Sequence, residues 1–272
     1  TVILPPAVLP HASAATLLPS ERHPAARPAR PARPVPPAPL SPALSKLLAR
    51  LPVQDDGEAL RQSLFHSGTH FNPDLLTSEA ERRARLEGVH AALDRAESLV
   101  FLDTESTGGR NGRLIEVALV ETDVEQNVTG GLHFRCNPHR RSLAGARRVH
   151  GIQDCELEHC PEFAARADEL LEAVRGKTVV IHDRTMDLLW LNRELQAARP
   201  GAPRFEDRCT VDSFVLARAI PSERRRNGLD ALLEWYGLGA RGGHHDAYGD
   251  AALLSRVFFE LWWDLDEWLY GE

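Results

Sequence analysis

The chain has 272 residues, a formal net charge of -7, a pI near 6.0 and 43% hydrophobic content, enough to bury one sizeable core with segments to spare. An acidic balance does not mark a nucleic-acid binder by charge, although bound metals at a phosphate-handling site would offset acidic residues there. Cys136, Cys155, Cys160 and Cys209 show no paired CxxC spacing, so neither a zinc site nor a disulfide framework is indicated and reduced cytoplasmic thiols are expected, and no apolar run approaches a membrane span.

Residues 1–42 are dominated by Pro, Ala and Arg, as in Pro24-Ala-Ala-Arg-Pro-Ala-Arg-Pro-Ala-Arg-Pro34. Frequent prolines forbid helix and sheet ladders, and few large apolar side chains remain to offset ordering entropy, so this stretch is expected to be a disordered or polyproline-II tail. Residues 43–96 turn helical. Leu44, Leu47, Leu48 and Leu51 share one helical face, Ala59, Leu60 and Leu64 suggest a second helix, and Ser78-Glu-Ala-Glu81 has the spacing of a capping box that opens a helix to about Glu97. Gln62-Ser-Leu-Phe65 resembles the short apolar peptides that dock on sliding clamps; ordinary helix packing is the plainer reading.

Residues 97–272 carry the main pattern. Leu99-Val-Phe-Leu102 runs directly into Asp103, with Glu105 two positions later and a Thr107-Gly108 turn signal beyond. A short apolar run of this kind reads as a buried strand. Side chains i and i+2 of a strand share a face, so the two carboxylates would project together and repel unless a cation lies between them. Oxygen-only pairs suit Mg²⁺ or Mn²⁺. Asp123/Glu125, Glu156/Glu158 and Asp264/Asp266 share the spacing; what separates Asp103/Glu105 is the apolar strand leading in and what appears downstream.

Strands are expected over 114–121 and 131–136, joined to the first as a three-strand meander, followed by a helix over 160–175 and a buried strand over 178–182. A helix carrying Asp187, Leu188, Leu191 and Leu195 comes next, then a short strand over 205–209 and helices over 211–219, 229–236 and 247–262. Strands first, then strands alternating with helices, imply an α/β fold with a mixed sheet flanked by helices. If the strand ending at His182 lies beside the first, Asp187 reaches the pocket of Asp103 and Glu105. Asp250 shares a helix face with Ala247, Ala251 and Leu254. On a continuous helix His245 and Asp250 would diverge by about 140°, so they converge only if His245 stands on the loop before it, which Gly242-Gly243 permits.

Together these segments resemble the DEDDh group of DnaQ-like 3′→5′ exonucleases, which includes the proofreading epsilon subunits of bacterial replicative polymerases. The resemblance rests on Asp103-Thr-Glu-Ser-Thr-Gly108 with Leu114-Ile-Glu116, Val149-His-Gly-Ile152, His182-Asp-Arg-Thr-Met-Asp187, Cys209-Thr-Val211 with Asn227-Gly-Leu-Asp-Ala-Leu232, and His245-Asp-Ala-Tyr-Gly-Asp250, in that order over residues 97–260. It departs at Asp183, Arg184 and Met186, where the family usually has Asn, Ala and an aromatic, and at Gly145, where epsilon-like members carry a substrate-contacting Glu. The chain also reaches Glu272 without the long polymerase-binding tail of those subunits, which counts against a dedicated replisome subunit.

The resemblance implies a ribonuclease H-like sheet and two-metal phosphodiester hydrolysis from a 3′ end, releasing nucleoside 5′-monophosphates. Asp103, Glu105, Asp187 and Asp250 would hold two Mg²⁺ or Mn²⁺ ions, and His245 would act as general base. Ser106 and Thr107 would line the terminal nucleotide, and His150 would contact its neighbourhood. Arg140, Arg141, Arg147 and Arg148 are candidates for phosphates of the incoming strand, with a solvated surface as the alternative. The substrate implied is single-stranded nucleic acid or a 3′ end, DNA ahead of RNA, and a DNA polymerase or clamp is the protein partner suggested. An exoribonuclease of the same fold, or a silent binding module, are the competing readings.

Overall fold

The computed structural model describes residues 78–205 and 210–271. The expected tail, the helical segments around Leu44–Leu64 with Gln62–Phe65, and residues 206–209 of the strand expected over 205–209 lie outside the described residues. Helix α1 (Glu79–Asp94) starts as its capping signal requires, with the Ser78 hydroxyl accepting the Glu81 N–H at 3.2 Å. It buries Leu86, Val89, His90 and Leu93, one stripe of its surface.

Strand β1 (Leu99–Ser106) is almost wholly buried, because helices cover both faces of the sheet. The strand period of two divides its side chains. Leu99 and Phe101 join one apolar cluster, Val100 and Leu102 the other. β2 (Leu114–Thr122) and β3 (Val128–Arg135) complete the expected antiparallel meander, while β4 (Thr178–Ile181) and β5 (Thr210–Asp212) pair parallel on the other side of β1. The order is β3-β2-β1-β4-β5. A parallel return from β3 to β4 needs a long crossover. It is made by α2 (Ala144–His150), α3 (Asp154–Leu157), a 3₁₀ turn at Phe163–Ala165 and α4 (Ala167–Ala173).

After β4 come α5 (Thr185–Ala198), then, beyond β5, α6 (Ser213–Ala219), α7 (Leu229–Tyr236) and α8 (Ala247–Tyr270). The side chains of α8 and α1 fill the cluster that holds Leu99 and Phe101, and those of α4 and α5 fill the other.

Four expectations are corrected. The helix expected over 160–175 is broken at Arg166 into a turn and α4, and Phe163 turns in to meet Phe134, with ring centroids 6.2 Å apart. The helix expected from 211 starts at Ser213, because Val211 pairs with Val180 in the sheet and Asp212 caps the helix by accepting the N–H groups of Phe214 and Val215. β3 starts at Val128 rather than 131, lengthened along an exposed edge. α8 continues past 262 to Tyr270, because Leu265 and Leu269 extend its buried stripe against α1. No described helix is long and apolar enough to cross a membrane.

Candidate active site

The carboxylates named from the sequence meet at the C-terminal end of β1. Asp103 and Glu105 continue the parity of Leu99 and Phe101 and face α8. Asp250, in the first turn of α8, is 5% exposed and approaches from that side. Asp187 comes from the first turn of α5, on the opposite layer, and its Oδ1 accepts the Thr104 hydroxyl at 2.5 Å. β4 lies parallel to β1, as the reach of Asp187 required.

His245 stands outside α8, on the loop before it, as the spacing argument demanded. Its N–H donates to the Val149 carbonyl at 2.9 Å, which pins the loop to the end of α2. Gly151 makes that approach possible. It adopts φ +73°, and a Cβ there would stand 2.9 Å from the His244 ring. Ligand atoms of Glu105, His245 and Asp250 all lie within 4.8 Å of one another.

Electrostatics set this cluster apart. Burial raises the Asp103 carboxyl well above its usual range, and Asp187, Glu105 and Asp250 add to the rise. Glu105 is pushed up to about 8, first by burial and then by Asp250, Glu116 and Asp187. Burial also raises Asp187, against the Thr104 hydrogen bond, and Asp250, against Arg241 and His245. Such a set is unfavourable without positive charge. Arg241 supplies some, its Nη1 donating to Asp250 Oδ2 at 2.7 Å and to His245 Nδ1 at 2.8 Å while Nε meets Asp230 at 2.8 Å. Four buried or half-buried carboxylates with one imidazole form an oxygen-rich donor set that fits Mg²⁺ or Mn²⁺.

Ser106 Oγ accepts the Gly108 N–H at 3.1 Å and Thr107 Oγ1 accepts the Arg113 N–H at 3.0 Å, so both shape the loop after β1; Thr107 is fully buried. His150 is buried, with Nδ1 accepting the Ile152 N–H at 3.0 Å and no hydrogen-bond partner for Nε2 among the described residues. Arg140 donates to the Asn111 carbonyl and Arg147 pairs with Asp154, while Arg141 and Arg148 are exposed.

Sequence reasoning missed Thr104, Arg241 and the part played by Glu116. Glu116 is 1% exposed and lies directly across from Glu105 in the antiparallel pair. Burial alone would raise its carboxyl, but hydrogen bonds from His133, Arg135 and the Ala247 N–H hold it down at about 2. Its only sequence signal was its place in the first motif.

The family described as Exonuclease (RNase_T) matches residues 100–258. This chain belongs to the RNase_T exonuclease family. Among its relatives, DNA polymerase III subunit epsilon of Rickettsia conorii is 37% identical over 168 residues, covering 60% of this chain and 72% of that one. The epsilon subunit of Escherichia coli K12 is 33% identical over 172 residues, covering 60% and 70%. The solved nuclease domain of 3′hExo, a DEDDh family member bound to rAMP, shares the fold at a TM-score of 0.52 and 14% identity, over 62% of this chain and 94% of that one. Escherichia coli Exonuclease I in complex with a dT13 oligonucleotide gives a TM-score of 0.51 at 21% identity, over 63% of this chain and 41% of that one. The exonuclease is thus a DnaQ-like, DEDDh-type 3′→5′ hydrolase on a ribonuclease H-like mixed sheet, and membership of this family implies divalent metal.

Proposed function

We propose that this exonuclease removes nucleotides from the 3′ end of DNA by a two-metal mechanism, with His245 as general base. One observation carries the reading: carboxylates from β1, α5 and α8 converge beside a histidine held on a separate loop. Asp103, Glu105, Asp187 and Asp250 would hold two Mg²⁺ or Mn²⁺ ions, which supply charge stabilisation at the scissile phosphate and acidify a bound water.

His245 accepts the proton of the attacking water, and the loop on which it stands leaves it 39% exposed to do so. The protonated imidazole is then stabilised by Asp250, whose Oδ2 lies 3.6 Å from Nδ1. Arg241 must release Asp250 and His245 for this, and Asp230 keeps a hold on its other end. Ser106 and Thr107 shape the loop against which the terminal nucleotide rests. His150 offers a buried Nε2 near the adjoining backbone, and Arg141 and Arg148 meet phosphates of the approaching strand. The products are nucleoside 5′-monophosphates.

DNA is chosen because the relatives at 33–37% identity are DNA polymerase III subunits, which also supports a DNA polymerase as protein partner. Incubating the protein with 3′-labelled single-stranded DNA and RNA, in Mg²⁺ and in EDTA, tests the reading. Metal-dependent release of deoxynucleoside monophosphates is expected. Preferential RNA degradation would replace the substrate, and binding without hydrolysis would replace the function.

A further inference from the structure

We propose that Glu116 is a positioning residue for the hydrolysis, its carboxylate fixing where α8 begins relative to β1 and so where His245 and Asp250 stand relative to Asp103 and Glu105. The inference rests on the site reading above.

Glu116 joins three elements at one buried point. It belongs to β2, and its antiparallel partner is Glu105 itself. Its Oε2 accepts the N–H of Ala247, the first residue of α8, at 3.1 Å. Its Oε1 accepts from Arg135 Nε at 2.8 Å and His133 Nε2 at 3.1 Å, both on β3.

The first N–H groups of a helix have no partner inside it. In α8 the capping side chain of Asp246 takes the Gly249 N–H at 2.8 Å. The Ala247 N–H, fully buried with its residue, is left to Glu116. A carboxylate in that place also faces the positive end of a long helix. The rest of α8 is held by apolar side chains such as Ala251, Leu254 and Phe258, and such contacts are non-directional. The polar tether is what sets the rotation and advance of the first turn.

His245 stands two residues before Ala247 and Asp250 three after it, so a displacement at Ala247 carries both. Misplacement by about 1 Å can cost on the order of 10²-fold in rate. Only a carboxylate suits the place. Three donors converge on its two oxygens, and the amide of a glutamine would turn its NH₂ toward one of them.

The test uses Glu116→Gln together with Ala247→Pro. Proline removes the N–H that Glu116 accepts and sets a ring carbon in its place, at the first helical position, where proline is favoured. The preceding Asp246 is extended, at φ -133° and ψ 136°, which proline requires of its neighbour.

Calorimetric Mn²⁺ titration without substrate is expected to show weaker binding in each variant by about 10- to 100-fold. The kcat at saturating metal is expected to fall by a similar factor, with KM for the oligonucleotide within about twofold of wild type. The double variant should be no worse than Glu116→Gln alone, since both remove the same bond.

A purely structural role would lower the Tm while leaving Mn²⁺ affinity and kcat of the folded protein unmoved. That result in Ala247→Pro overturns the proposal even if Glu116→Gln fails to fold. Losses that multiply in the double variant overturn it as well. A wild-type protein without metal-dependent hydrolysis would instead remove the site reading beneath it.

Discussion

The two ends of α8 carry the same residue type under opposite conditions. At the N-terminal end Asp250 adds to the rise of the Asp103 and Glu105 carboxyls, and burial raises its own against the pull of Arg241 and His245. At the C-terminal end, Asp264 accepts from Arg224 Nη1 and from the Tyr236 hydroxyl, each at 2.6 Å, and Asp266 meets His90 Nε2 at 2.9 Å. Arg224 is 1% exposed, and burial with Asp264 beside it pushes the Tyr236 hydroxyl up. Acids at one end tie the helix to α1, to α7 and to the loop before α7, whereas the acid at the other end adds to a repulsion that Arg241 offsets only in part. A carboxylate whose charge is answered within the fold supports the fold; one in a cluster of four served by a single guanidinium marks where a ligand must come.

If that contrast holds, the two ends should fail in different currencies. Asp103→Ala should reduce hydrolysis to background while the Tm of the metal-free protein stays the same or rises, because one of the mutually repelling charges is gone. Wild-type turnover in a 3′-label release assay would refute the assignment of Asp103 as a metal ligand.

His245→Ala should lower kcat by roughly 10²–10⁴-fold, the range of lost acid–base catalysis. Mn²⁺ binding should survive on the four carboxylates. An unchanged rate would dismiss His245 and make His244 the next residue to substitute.

At the other end, Asp264→Asn should lower unfolding stability by about 3 kcal/mol, because it strips a buried guanidinium of its counter-charge. Turnover by the folded fraction should remain at the wild-type level. Chemical denaturation alongside kcat measures both, and a loss of kcat at full folding would erase the distinction between the ends.

A further effect concerns pH. Glu105 titrates from a reference of 4.5 in the unfolded chain to about 8 in the fold, so between those values the folded chain binds more protons than the unfolded one. Stability of the metal-free protein should therefore fall as pH rises from about 5 to about 8 and level off above that. Glu116, held down at about 2, acts only below this window. Glu105→Gln should flatten the slope in thermal melts in EDTA, and Mg²⁺ should raise the wild-type Tm more at pH 8 than at pH 5. A flat wild-type melt across this range would show that the cluster is not under charge stress.

Much of the site was legible because it is local. The apolar run into Asp103 and Glu105 follows from strand periodicity, and Asp250 was placed by the face it shares with Ala247, Ala251 and Leu254. His245 was assigned to a loop because a continuous helix would turn it away, and the structure puts it there. Asp264 and Asp266 have the same two-residue spacing as Asp103 and Glu105, yet one pair clasps helices and the other forms the site. Spacing alone does not reveal which charges lie opposite.

The sequence by itself determined which residues could face one another along a strand or a helix, since backbone geometry fixes those periods. It also determined the strands of the meander and the loop position of His245. Only the tertiary structure decided that β4 lies beside β1, that Asp187 is steadied by Thr104, and that Arg241 reaches Asp250. It alone joined Glu116 to the first turn of α8, across a separation of 131 residues in the chain. These are meetings between segments far apart in sequence, made by the burial of apolar faces. That force is blind to which polar groups it brings together, so their partners become readable only when the layers are packed.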